Sequence, residues 1–271
     1  MRAFTVIKTQ SNGVEFTHWL GFIFLPLLLG VLGLLKQKEA YKVIHQDYGT
    51  NCEQAQYTVR TISYDPLIQH IENLVTPREI QYLLTLAKDR FNHSTAYFKN
   101  GSILITSDRT SSSAFLPSND PTVKCILARV AEYQGYADPN LIEELQVTRY
   151  LPGQFFGTHY DWLQGAANPG DYIFDRDTTF FATLEATCSD CGTWFSLLNY
   201  DWTFEDPRWC SFVDCNRRDG LTVKPVPGSA VFWKNLHENG TGDERMLHAG
   251  LSARDGFRTG LNIWTRREFI L

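Results

Sequence analysis

Hydrophobic residues recur along this chain first with a helical period and later in the short runs typical of strands. A predicted helix opens at Thr76, where Pro77 in the first turn and Glu79 three residues after the cap indicate a capping box. A second predicted helix begins at Asp120-Pro121. The apolar faces of the two helices are formed by Ile80, Leu83, Leu84 and Ala87, and by Val123, Ile126, Leu127 and Val130.

From Leu145 onward, Gly, Pro, Asn and Asp separate short apolar runs, as in a strand-rich region. The predicted strands are residues 145–150, 158–162, 180–186, 193–198, 222–225, 229–233, 246–249 and 259–265. Two helices followed by about eight strands predict a mostly β domain, with helices flanking a double-sheet jelly roll. Residues 200–220 show no periodicity and are predicted to form a long loop, which a bond between Cys210 and Cys215 would hold.

The N-terminal part of the chain carries an uncharged run, residues 19–35, at the short end of what spans a bilayer. A cleaved signal peptide is the alternative, but charged residues follow where a small-residue cleavage site would be expected. We therefore expect an uncleaved signal anchor. The predicted organisation is a short tail (1–17), a transmembrane anchor (18–35), a polar stem (36–60) and a folded domain (61–271).

Composition and charge narrow the possible partners and compartments. A net charge of −5 and the lack of a basic run argue against a nucleic-acid partner. The lysines after the anchor weakly favour a cytosolic domain, but six cysteines, an even number, are compatible with disulfides in an oxidising lumen. We expect a single-pass glycoprotein whose domain lies in the endoplasmic reticulum or secretory lumen. Its acceptor sequons begin at Asn92, Asn100 and Asn239.

Candidate metal ligands come from two of the predicted strands. His159 and Asp161 are two residues apart on one of them, so their side chains should share a face. One further histidine would complete two imidazoles and one carboxylate, the facial triad of non-haem Fe(II) oxygenases. His237 lies in a polar turn, whereas His248 has small and apolar neighbours and is the preferred third ligand. Structural roles are assigned to His18, His45, His70 and His93.

Arg258 opens an apolar predicted strand, where a buried guanidinium would need an anionic partner. The planar fork of arginine fits a carboxylate with two hydrogen bonds. A 2-oxo acid that chelates iron through one end would place its far carboxylate there. From spacing alone, an exposed arginine at a strand start is an equal alternative.

Motifs in a fixed order extend over roughly residues 62–268. They are Arg109-Thr-Ser, Glu144 to Tyr150, Gly153-Gln154, His159-Tyr-Asp161, Gly192 to Phe195, Val223 to Trp233, and His248 with Gly256-Phe-Arg258 and Trp264. Together they resemble the catalytic domain of the prolyl 4-hydroxylases. The resemblance implies a double-stranded β-helix, cupin-like enzyme that depends on Fe(II), 2-oxoglutarate, O2 and usually ascorbate, and that hydroxylates peptidyl proline.

Residue roles also follow from the resemblance. It implies that His159, Asp161 and His248 bind the metal, and that Arg258 holds the far carboxylate of 2-oxoglutarate. The same correspondence gives lesser roles to three pocket residues: Tyr150 as a hydrogen-bond partner of the co-substrate, Thr193 as a weaker candidate, and Trp264 as a pocket wall.

The chain departs from the family pattern in places that affect specificity. The departures are Arg258 where lysine is usual, Leu251-Ser252 in place of a Pro-Val pair, Cys188 and Cys191 ahead of Gly192 in place of a double glycine, and the 200–220 insertion. Cys188 and Cys191 could be a redox pair or half a zinc site, but we expect disulfides. Two other functions stay open: an enzyme of the same superfamily that tailors a small natural product or free amino acid, and an inactive membrane-tethered binding subunit.

Overall fold

The computed structural model describes residues 52–97, 103–163, 172–188 and 190–270 of the 271-residue chain. The predicted tail and anchor, and most of the predicted stem, lie outside these residues. Within them, no helix combines the length and the apolar character that crossing a membrane requires. Regular structure begins at Thr58, slightly before the predicted start at residue 61, and a disulfide joins Cys52 to Cys125.

The two predicted helices are confirmed, and both begin at a proline. They are α1 (Pro77–Ala87) and α2 (Pro121–Tyr133). The Thr76 hydroxyl accepts a hydrogen bond from the Glu79 backbone N–H, while the Glu79 carboxylate accepts one from the Thr76 N–H. Asp120 caps α2 in the same position. Glu79 also forms a buried ion pair with Arg129 of α2, 2.8 Å between Oε1 and Nη2, which joins the helices.

Strands are the commonest regular structure among the described residues. They are β1 (Thr58–Tyr64), β2 (Leu67–Glu72), β3 (Asn92–His93), β4 (Ala96–Tyr97), β5 (Ile103–Leu104), β6 (Ser112–Phe115), β7 (Gln146–Tyr150), β8 (Phe156–His159), β9 (Tyr172–Ala186), β10 (Thr193–Phe195), β11 (Leu221–Val223), β12 (Ala230–Lys234), β13 (His248–Gly250) and β14 (Arg258–Ile270). The eight predicted strands correspond to β7–β14, and β1–β6 were missed. The predicted strand 158–162 ends at His159, so Asp161 lies just beyond it rather than on it.

The strands form two larger antiparallel sheets, consistent with a jelly-roll core. The eight-stranded sheet has the order β1-β2-β12-β9-β14-β7-β6-β3, and the four-stranded sheet has the order β11-β10-β13-β8. The long strands β9 and β14 pair along their whole length at the centre of the larger sheet. The mostly β architecture with few helices is therefore as predicted.

The larger sheet has two differently occupied faces because side chains alternate along each strand. Phe180 and Ile263 are fully buried in the core that includes residues of α1 and α2. Their neighbours Phe181 and Trp264 are also buried, but both line the pocket described below. The helices thus cover one face, and the other face is free to form a site.

The 200–220 insertion is more ordered than the predicted loop. It contains short 3-10 helices at Trp202–Phe204 and Pro207–Ser211, and a disulfide joins Cys210 to Cys215. Its last part runs along the edge of β11, where the Lys224 backbone N–H donates to the Phe212 carbonyl at 2.8 Å. The expectation of disulfides is confirmed, since Cys188 also bonds to Cys191.

Candidate active site

Three predicted metal ligands meet at one point between the sheets. His159 at the end of β8 lies directly across the strand pair from His248 at the start of β13. The Nε2 atoms of His159 and His248 lie 3.7 and 3.8 Å from the two carboxylate oxygens of Asp161. One ligand atom from each residue falls within 4.8 Å of the others, which is the arrangement needed to hold one cation. Asp161 reaches this position although it follows β8.

Hydrogen bonds fix the same ring nitrogen in both histidines. Nδ1 of His159 lies 2.8 Å from the Gly157 carbonyl oxygen, and Nδ1 of His248 lies 2.9 Å from that of Met246. A carbonyl can only accept, so each Nδ1 carries the proton and donates it. The Nε2 atom of each ring is therefore the one left to bind a metal, and it faces Asp161. This is how proteins usually orient histidine ligands of metals.

Asp161 is held by a chain of buried side chains from other strands. The Thr179 hydroxyl donates to Asp161 Oδ2 at 2.8 Å, and the Asn235 amide donates to the Thr179 oxygen at 2.8 Å. The Trp233 indole donates to the Asn235 carbonyl oxygen at 2.7 Å. Thr179 and Asn235 are fully buried. Sequence reasoning missed this chain because Asp161, Thr179 and Asn235 lie far apart along the sequence.

The electrostatics of the cluster favour a cation. Burial lowers the pKa of His159 to about 3, helped by repulsion from His248, so its imidazole is neutral near pH 7. Burial opposes ionisation of Asp161, but attraction to His248 and His159, with the Thr179 hydrogen bond, lowers its pKa overall. Two imidazoles and one carboxylate form a donor set suited to Fe(II).

Arg258 is buried at the other end of the same pocket. It is 1% exposed at the start of β14, paired in register with Tyr150 of β7 and Ala186 of β9. Its guanidinium carbon lies 4.8 Å from the Tyr150 ring centroid and 5.1 Å from that of Phe181. Among the described residues no carboxylate forms an ion pair with it, and its Nε has no hydrogen-bond partner. Burial lowers the pKa of Arg258, and the interaction with Tyr150 opposes that shift.

The remaining predicted pocket residues also line this space. Tyr150, Thr193 and Trp264 are all buried and share the pocket with the three cluster residues and Arg258. The space beside the arginine depends on Gly250, because an added Cβ there would lie 3.0 Å from an Nη atom of Arg258.

The pocket residues Phe156, Arg109 and Asn262 were not assigned a role from the sequence. Phe156 stacks on the His159 ring with centroids 3.5 Å apart, and Arg109 lies over the outer face of Phe156 at 4.5 Å. Arg109 donates to Gln146 at 2.9 Å, and Asn262 donates to the same oxygen at 3.1 Å. In the sequence, Arg109 was noted only as part of the motif Arg109-Thr-Ser, which did not indicate what the residue does.

The other histidines among the described residues lie away from the cluster. His237, the competing third ligand, is half-exposed beside Asp243, at 3.9 Å. His93 is exposed on β3, and His70 is buried on β2. His18 and His45 lie outside the described residues.

Comparison with known proteins gives relatives of one kind. No protein-family model matches the chain. It is 29% identical to probable prolyl 4-hydroxylase 10 of Arabidopsis thaliana, in an alignment that covers 77% of this chain and 71% of the relative. It is 28% identical to prolyl 4-hydroxylase 1 of the same plant, and that alignment covers 76% of this chain and 71% of the relative. A viral collagen prolyl hydroxylase of Paramecium Bursaria Chlorella virus-1, solved with 2-oxoglutarate, has a similar fold: TM-score 0.52 and 20% identity over 73% of this chain and 95% of that chain. The resemblance to prolyl 4-hydroxylases is therefore confirmed.

Proposed function

We propose that this chain is an Fe(II)- and 2-oxoglutarate-dependent dioxygenase that hydroxylates proline in a polypeptide. One observation carries the proposal: the ligand atoms of His159, Asp161 and His248 converge within 4.8 Å. The far end of the same pocket holds Arg258, a buried arginine with no carboxylate partner among the described residues. Similarity to plant prolyl 4-hydroxylases supports the choice of proline as acceptor.

The cluster fits Fe(II) by the chemistry of its donors. His159 and His248 would bind through Nε2, and Asp161 through a carboxylate oxygen, all on one side of the metal. Coordination positions on the opposite side would be open to the other reactants. Thr179 would keep the Asp161 carboxylate oriented and ionised during turnover.

The far end of the pocket fits the terminal carboxylate of 2-oxoglutarate. Arg258 is a buried cation without a carboxylate partner among the described residues, and such a group is costly unless a ligand neutralises it. A carboxylate can accept two parallel hydrogen bonds from its guanidinium. The Tyr150 hydroxyl next to it could supply another hydrogen bond.

The protein's part in the reaction is placement and exclusion of water. Bound Fe(II) would supply the activation of O2 that couples decarboxylation of 2-oxoglutarate to hydroxylation of a C–H bond. The buried rings of Phe181, Trp233 and Trp264 line the pocket and would exclude solvent from the reactants. Ascorbate would keep the metal reduced between turnovers.

We further propose that residues 18–35 anchor the protein in a membrane and that the domain that follows lies in an oxidising secretory lumen. Three disulfides support this placement, because such bonds rarely persist in the cytosol. Of the three predicted sequons, Asn92 and Asn239 fall in the described residues and Asn100 does not.

Release of succinate tests the function. Purified protein is supplied with Fe(II), 2-oxoglutarate and ascorbate, with and without a proline-rich peptide, and mass spectrometry scores a 16 Da gain on proline. Peptide-stimulated succinate is expected. Succinate stimulated only by small molecules would favour a tailoring enzyme, and no succinate under any condition would favour an inactive binding subunit.

A further inference from the structure

The short connection between β9 and β10 crosses from the larger sheet to the smaller one. A disulfide closes this connection by joining Cys188, just after β9, to Cys191, just before β10. The last residue of β9 pairs in register with Arg258, so the connection lies at the Arg258 end of the catalytic pocket. The disulfide therefore links the ends of two strands that belong to different sheets.

On the Cys188 side, the connection holds the turn that precedes Arg258. The Thr187 backbone N–H donates to the Phe257 carbonyl at 2.9 Å, and the Phe257 N–H donates to the Thr187 hydroxyl at 3.0 Å. Gly256 has a φ of +74°, and a Cβ added to it would lie 3.2 Å from the Cys188 nitrogen. The backbone before Arg258 thus packs closely on the residues next to the disulfide.

On the Cys191 side, the connection holds another part of the pocket wall. Cys191 is fully buried, and the Gly192 carbonyl accepts a hydrogen bond from the Leu251 N–H at 3.0 Å. Thr193, the first residue of β10, lines the pocket together with Arg258. Because the disulfide ties these two parts of the wall to each other, breaking it would loosen their relative position.

The two sulfur atoms differ in their access to solvent. Cys188 is partly exposed and residues 187 and 190 beside it are exposed, whereas Cys191 has no exposed surface. In the other two disulfides all four cysteines are partly exposed. Thiol–disulfide exchange requires access to the sulfur that is attacked, while the other sulfur leaves. The burial thus directs attack to Cys188 and makes Cys191 the leaving group.

The surroundings of Cys188 also suit its reduced form. The Cys188 sulfur lies 3.3 Å from the Phe257 carbonyl oxygen. A disulfide sulfur carries no proton, so this contact is not a hydrogen bond while the disulfide is intact. A thiol is a weak donor, and a reduced Cys188 could donate to that oxygen. The protein therefore offers Cys188 a partner that only the reduced state can use.

We propose that Cys188 and Cys191 form a site of thiol–disulfide exchange with a dithiol reductant, and that reduction weakens binding of the co-substrate at Arg258. A thiolate of the reductant attacks the Cys188 sulfur, the S–S bond breaks, and its electron pair leaves on the Cys191 sulfur, which takes up a proton. The second thiol of the reductant resolves the mixed disulfide, which frees the Cys188 thiol and leaves the reductant as a disulfide. The effect on the co-substrate rests on the proposed function, whereas the exchange does not.

Selective alkylation tests the exchange site. The folded protein is incubated with increasing concentrations of dithiothreitol, its free thiols are alkylated, and mass spectrometry locates the labels. Cys188 and Cys191 should be labelled at a concentration about tenfold lower than the other four cysteines. Opening of either other disulfide at the same or a lower concentration would overturn the assignment of the exchange site.

Calorimetric titration with 2-oxoglutarate, in the presence of Mn(II) and without O2, tests the effect on the pocket. Protein in which only this disulfide has been reduced should bind 2-oxoglutarate about tenfold more weakly, and oxidised glutathione should restore the affinity. The double variant Cys188→Ser, Cys191→Ser should bind as the reduced protein does and should not respond to the oxidant. Recovery in the unaltered protein alone distinguishes a reversible switch from structural damage.

The matched control is the double variant Cys210→Ser, Cys215→Ser. It removes another disulfide between cysteines close in the sequence, from a segment that contributes no residue to the pocket. Its affinity for 2-oxoglutarate should equal that of the unaltered protein and should still fall when the remaining pair is reduced. Equal affinity before and after reduction of Cys188 and Cys191 would overturn the switch. Failure of the unaltered protein to bind 2-oxoglutarate in either state would instead contradict the proposed function, and the order of alkylation would still decide the exchange site.

Discussion

The two ends of the catalytic pocket are built on different principles. At the metal end, each polar group is held by another protein group: both histidines by backbone carbonyls, and Asp161 by Thr179. At the other end, Arg258 is buried with no carboxylate partner among the described residues. The metal end is thus organised in advance, whereas the Arg258 end is completed by whatever anion binds there. Substitutions can therefore weaken the hydrogen bonds that support the metal ligands, or the binding of the anion at Arg258, independently of each other.

The largest effect is expected from His248→Ala. Removing one of two imidazoles leaves too few donors for tight Fe(II) binding, so succinate release should fall below detection. Metal content after dialysis and succinate release would be measured together. Retention of 2-oxoglutarate-dependent turnover would show that His248 is not a ligand, and His237→Ala, outside the cluster, serves as the control.

Arg258→Met should affect the co-substrate far more than the metal. Loss of a buried charge-assisted contact is expected to raise the KM for 2-oxoglutarate on the order of 100-fold. The metal affinity should stay unchanged. Without ligand, the variant should unfold at a higher temperature than the unaltered protein, because an unpaired buried charge has been removed. The stabilisation that 2-oxoglutarate gives should disappear.

Thermal unfolding with and without 2-oxoglutarate distinguishes these outcomes. A variant that is less stable without ligand would mean that Arg258 already has an anionic partner in the protein. The comparison between the two ends would then be wrong.

Thr179→Val should lower the affinity for the metal without abolishing metal binding. The substitution keeps the shape of the side chain but removes the hydrogen bond to Asp161, and loss of such a support commonly costs 10- to 100-fold in metal affinity. Competition with a coloured chelator would measure it. The KM for 2-oxoglutarate should change little, and an equal loss in both would contradict the independence of the two ends.

The smallest expected effect is that of pH on the free energy of unfolding. It concerns His70, which lines a small cavity together with Arg258. Burial lowers its pKa to about 4 from an ordinary 6.5, so between these values the unfolded chain binds a proton that the folded chain does not. Stability is therefore fully present above about pH 6.5 and falls as the pH drops towards 4. In His70→Phe the fall should be smaller, and melting temperature against pH would measure it. An unchanged acid profile would mean that His70 does not contribute.

The sequence predicted the metal end better than its supports. His159 and Asp161 are close in the chain, and the apolar flanks of His248 favoured it over His237. The register of β8 and β13 agrees with that choice, because it places His248 directly opposite His159. Thr179 and Asn235 gave no signal, and Trp233 appeared only as the end of a family motif without a role. A hydrogen-bonded chain across two strands and a loop exists only after the sheet has paired.

Strands β1 and β2 were missed for a different reason. β1 is exposed over its first half, at the edge of the larger sheet, so its residues do not show the alternation that marks a half-buried strand. Prediction of strands from the pattern of apolar residues is therefore weakest at the exposed edge of the larger sheet.

The full-length pairing of β9 with β14 has a consequence for substrate choice. Thr179 on β9 steadies the metal end and Arg258 begins β14, and backbone hydrogen bonds set the interval between the strands. Under the proposed function, this fixed spacing would set the length of the co-substrate that fits between the metal and Arg258. A dicarboxylate one methylene shorter or longer than 2-oxoglutarate would then contact the metal or Arg258, but not both.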